Sequence, residues 1–89
     1  MRIDLEPLEL IYEIYVGNNR VKREQMIAPF MFHQSQFASL VQQIANEQTP
    51  MMLRVFYIDD IWDQFEQKHK QLENGIEFKN NPMVTYHEH

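Results

Sequence analysis

Leu8, Leu10, Tyr12, Ile14 and Val16 occupy every second position of one stretch, so in an extended chain all five side chains leave the same face. The positions between them, Glu9, Ile11, Glu13 and Tyr15, are mixed, as expected of a sheet with one well-buried side. Gly17-Asn18-Asn19 follows and lets the chain reverse, because Gly and Asn tolerate positive φ at little cost. The pattern predicts a hairpin with a first strand over Leu8–Val16 and a return strand from about Arg20 to Ala28. A Gly17-Asn18 loop would set Glu13 opposite Lys22 and Ile14 opposite Val21, both favourable pairs. Pro29 ends the return strand or marks it as an edge.

Phe37, Leu40, Val41 and Ile44 then recur at helical spacing, with Ser35 as the expected N-cap and Thr49-Pro50 as the stop. Met51 to Ile58 is apolar on both parities except at Arg54, the signature of a strand in the middle of a sheet. Arg54 must then be paired or must snorkel to the sheet end. A second helix carries Ile61, Trp62, Phe65, His69 and Leu72, with Asp59 or Asp60 as its cap and Asn74-Gly75 as its end. One or two C-terminal strands complete the order, from Ile76-Glu77-Phe78 and Met83–Tyr86. The expected fold class is α+β: a small two-layer sandwich, N-terminal β-hairpin followed by α-β-α and one or two C-terminal strands, forming one domain over residues 1–89.

Composition narrows the function classes rather than choosing one. With no cysteine, disulfides and cysteine-based sites are excluded. The acidic first six residues and the short apolar runs argue against a secretory signal or a membrane helix, so the expected setting is cytoplasmic. The net charge of −5 is the opposite of what a duplex nucleic-acid binder displays. A nucleic-acid role would have to rest on a local patch, and Arg20, Lys22 and Arg23 just past the hairpin tip are the candidates. Salt bridges to Glu9, Glu13 and Glu24 are the simpler account of those three cations.

Catalysis finds little support. The two glycines cannot build a phosphate cradle, and Ser35 and Ser39 lie in a helix rather than a strained nucleophile turn. Asp59, Asp63 and Glu66 would share a helix face and resemble the oxygen ligands a divalent ion favours. Acids in a first helical turn serve the dipole equally well, and a metal-dependent enzyme ranks third. His87 and His89 are two ligands where zinc wants three or four. His69, on the apolar stripe of the second helix, reads as a residue at the core boundary. No catalytic residue, metal or cofactor is therefore expected.

Pro29-Phe30-Met31-Phe32 is unusual for a loop, which normally stays polar. Phe30 and Phe32 either plug the end of a small core or, with Met31, form an exposed patch; Phe30, Met31 and Phe32 are then the expected protein interface, since interfaces enrich aromatics and Met. The leading expectation is a small, acidic, non-catalytic protein-binding or regulatory module, acting through a protein surface and as a homodimer, joined either edge-to-edge through the hairpin or through the Phe30–Phe32 region. The alternative is a nucleic-acid-associated factor using the basic hairpin.

Overall fold

The computed structural model describes residues 6–58, 62–77 and 83–88, with backbone alone at 62, 64 and 65. Its elements run β1 (Leu8–Val16), β2 (Asn19–Ala28), α1 (Phe30–Ala45), β3 (Met52–Tyr57), α2 (Trp62–Asn74) and β4 (Met83–Glu88). The four strands form one sheet in the order β2-β1-β3-β4. β1 is antiparallel to both β2 and β3, whereas β3 and β4 are parallel. A parallel pair needs a long crossover, and α2 supplies it. The expected α+β class and the central place of the Met51–Ile58 segment both hold, and one C-terminal strand is present among the described residues. The caps expected at Asp59 or Asp60, and Phe78, lie outside them. No helix among the described residues is long and apolar enough to cross a membrane.

Both helices cover the same face of the sheet. Leu8, Leu10, Tyr12 and Ile14 of β1 and Leu53 and Val55 of β3 form the core with Phe30, Phe37, Leu40, Val41 and Ile44 of α1. Met26, Leu72, Val84 and Tyr86 pack around its margin. His69 of α2 lies flat on Phe37, ring centroids 3.8 Å apart and planes within 4°. That stack joins the two helices.

α1 begins five residues before the expected Ser35 cap. Pro29 takes the N-cap position with no side-chain cap bond, and its carbonyl accepts from the Phe32 amide at 3.0 Å. The physical reason is burial. A helix starting at Phe30 extends the apolar stripe backwards through Phe30 and His33, both buried. Burying a Phe contributes roughly 1.5–3 kcal/mol, more than the ~1 kcal/mol typical of a side-chain cap. His33 then ties α1 to β1. Its Nε2 donates to the Leu8 carbonyl at 2.7 Å, which leaves Nδ1 to accept from the Tyr12 hydroxyl at 3.1 Å. Burial, aided by the charge of Glu24, pushes the Tyr12 hydroxyl well above its ordinary pKa, so it stays a donor.

The hairpin also departs from the simplest register. Gly17 and Asn18 form the two-residue turn, with Gly17 at φ +61°, and positive φ at the first central position alone is the habit of a type II′ turn. Tyr15 faces Arg20, but the next pair is Ile14 with Lys22, so Val21 is bulged out of the ladder. Glu13 therefore faces Arg23 rather than Lys22. Without the bulge, Arg23 and Gln25 would turn toward the helices. With it, Met26 and Ala28 do so, and Met26 packs on the core. Bulges commonly re-aim side chains in this way.

Candidate functional site

The bulge has a second consequence, on the face of the sheet turned away from the helices. Residues three apart in a regular strand leave opposite faces, yet Arg20 pairs with Tyr15 and Arg23 with Glu13 on one face. Both guanidiniums converge on the Glu13 carboxylate. Arg20 Nη1 donates to Oε2 at 3.0 Å, Arg23 Nε lies 4.0 Å from the same oxygen, and the Tyr15 hydroxyl donates to Oε1 at 2.8 Å. Glu13 is only 7% exposed. Burial resists its ionisation, but the bonds from Tyr15 and Arg20 and the charges of Arg20 and Arg54 outweigh it. The carboxyl is held below its ordinary pKa.

β3 and β4 extend the cluster. Met52, Arg54 and Phe56 share a parity, and Arg54 faces Glu13 across the ladder. The Arg54 guanidinium lies over two rings at once, 5.4 Å from the Tyr15 centroid and 5.1 Å from that of Phe56. Its Nε donates to His87 Nε2 at 3.2 Å. A nitrogen that accepts from a guanidinium carries no proton, so the Thr85 hydroxyl, 2.9 Å from the same nitrogen, also donates to it. His87 in turn stacks on Phe56 with centroids 5.1 Å apart. Burial, and then the Arg54 charge, hold its pKa below the ordinary value against the pull of Glu13. The ring is neutral at pH 7.

Three guanidiniums thus surround one carboxylate, leaving two positive charges in surplus in a chain of net charge −5. Glu9 lies at the far end of the same face, where Gln25 donates to it at 3.1 Å. Ile11, Glu13, Arg23 and Phe56 line a shallow depression of about 210 Å³. The arginine side chains stay accessible, Arg20 at 51% and Arg23 at 43%. The layer can hold a flat or anionic group, but it offers no nucleophile poised beside a base.

The structure divides each set of sequence candidates. Of the basic hairpin residues, Arg20 and Arg23 enter this cluster, whereas Lys22 sits on the helix side, 4.0 Å from Glu24. Of the expected interface, Phe30 is in the core at 1% exposure, while Met31 and Phe32 lie on the surface at 62% and 54%. The correction follows from the helix start, which turns Phe30 inward with His33. Asp59 and His89 lie outside the described residues. Asp63 is exposed, and Glu66 accepts from Lys70 at 3.0 Å. Among the described residues no group of three His, Asp or Glu could hold a metal ion.

Tyr15, Arg54, Phe56, Thr85 and His87 were not legible as a site. The shared parity of Arg54 and Phe56 was the one available signal. His87, which the sequence offers only as half of a two-ligand zinc pair with His89, is half-buried in β4. His87→Ala should cost on the order of 1 kcal/mol, or about 4–8 °C in Tm. An unchanged thermal melt would show that β4 does not depend on this contact. Compared with known proteins, the chain matches no family model, no curated protein and no solved structure.

Proposed function

We propose that this chain is a non-catalytic binding module whose recognition surface is the outer face of the sheet, and that it takes an anionic partner. The observation that supports this is the local reversal of charge. Arg20, Arg23 and Arg54 are gathered around one buried carboxylate in an otherwise acidic chain. Glu13 organises two of the arginines in advance, and such preorganisation lowers the entropy lost when a ligand binds. Each guanidinium has five donors, and Arg20 spends one of them on Glu13 at 3.0 Å.

Heparin, a polyanion of no particular biological class, tests this reading. A chain of this net charge should flow through such a column, but the cluster should retain it at low salt. Replacing Arg20 and Arg23 together with Gln keeps amide donors for Glu13 and removes two charges, so retention should be lost with the far-ultraviolet spectrum unchanged. Lys68→Gln with Lys70→Gln, on α2, should have no effect. Flow-through of the unaltered protein at low salt would refute the proposal.

A second reading, a protein interface that makes the chain a homodimer, is favoured by Met31 and Phe32, which are both exposed on the first turn of α1. Phe32→Ser should then halve the mass seen by light scattering. A mass unchanged by the substitution would remove this turn from any interface.

A further inference from the structure

We infer that the anionic partner is a single strand of nucleic acid, laid across the outer face with its bases against Phe56 and Tyr15 and its phosphates at Arg20, Arg23 and Arg54. The inference rests on the binding-module reading above and adds the class of ligand. Charge alone would suit any polyanion, and the rings decide among them. Tyr15 and Phe56 stand on β1 and β3, the two central strands, and Arg54 brings a flat cation over both. Rings and guanidinium planes on a sheet surface stack on bases that are unpaired, whereas bases inside a duplex present only their edges. His87, neutral and stacked on Phe56 at 5.1 Å, extends the same layer toward β4. Arg20 and Arg23 flank the rings on β2, and Arg54 reaches over them from β3, so a backbone crossing the strands would pass all three.

A second copy of the chain is a poorer occupant of this face. Two such faces brought together would set one group of three arginines against another. An acidic peptide would satisfy the arginines but would leave the two rings without flat partners.

Fluorescence anisotropy with labelled twelve-nucleotide strands of oligo-dT and oligo-U tests the inference. Binding is expected in the micromolar range at 25 mM salt. It should weaken on added salt with a log–log slope near −2, the value for about three phosphates on a single strand. Phe56→Leu, which keeps apolar volume and removes the π face, should weaken binding about tenfold, and Tyr15→Leu should do likewise. Arg23→Gln should lower the salt slope.

If Phe56→Leu and Tyr15→Leu bind the strand as tightly as the unaltered protein does, the stacking is overturned. A duplex or poly-glutamate competing as well as the single strand would also overturn the inference, and would point to shapeless charge or to an acidic protein. If oligonucleotides fail while heparin is still retained through Arg20 and Arg23, the nucleic-acid inference falls and the binding-module reading stands. If heparin is not retained either, both fall.

Discussion

Phe30→Ser is expected to cost roughly 3–5 kcal/mol, and Phe32→Ser less than about 0.5, although the two residues are neighbours but one on the same helix turn. Phe30 is 1% exposed within the core, with the Lys68 ammonium 4.7 Å above its ring. Truncation there removes apolar burial, leaves a cavity and places a hydroxyl in it. Phe32 is 54% exposed, so its loss changes mainly the surface. A domain of this size has about 5–10 kcal/mol of stability in all, so the first variant should lose roughly a third or more of that margin and unfold at much lower urea, whereas the second should melt close to the parent. Urea titrations followed by far-ultraviolet circular dichroism read both. Equal losses would mean that α1 does not begin at Phe30.

The same pair shows what could be read from the chain and what could not. The alternation of Leu8 to Val16 and the stripe Phe37-Leu40-Val41-Ile44 each carry one period over many positions, Met51–Ile58 is an unbroken apolar run but for Arg54, and each became the expected element. Phe30 and His33 also fit the helical period, seven and four residues before Phe37. A loop signal from Pro29 and a good cap at Ser35 competed with them, and only the accounting of burial decides between the two. The bulge at Val21 is less legible still. It is set by which whole parity of β2 prefers the helices, a comparison that needs α1 to be in place. The candidate site depends on both outcomes. Its members come from all four strands, so it exists only once the register of β1 with β2 and β3 is fixed. Tyr15, Arg54 and His87 have no local sequence signature that joins them. His87 in particular reads as a solvated terminus until α2 carries β4 back beside β3.

Acidification should remove roughly 4–5 kcal/mol of stability through His69 alone, most of it between pH 6 and pH 3. The imidazole is fully buried and lies on Phe37. Burial first, and the nearby His33 second, pull its pKa down to about 3 from an ordinary 6.5. Above pH 6.5 the ring is neutral whether the chain is folded or not, and its contribution is fully present. Below that, the unfolded chain takes up a proton that the folded one refuses, and stability falls by about 1.4 kcal/mol for each pH unit. The loss levels off below about pH 3, where both states are protonated. Glu13, whose folded pKa is lowered, adds to the loss once the pH enters the carboxylate range. Glu73 works in the opposite direction, since burial holds its pKa up against the Tyr86 hydrogen bond and the Lys70 charge. His69→Phe isolates the term, because a phenyl ring keeps the stack and cannot be charged. Its stability at pH 7 should stay within about 1.5 kcal/mol of the parent. Between pH 7 and 4.5 the parent should lose roughly 2–3 kcal/mol more than the variant. Urea midpoints at pH 7, 5.5 and 4.5 make the comparison. Parallel losses in the two proteins would place the acid sensitivity elsewhere and would mean that the imidazole reaches solvent in the folded state.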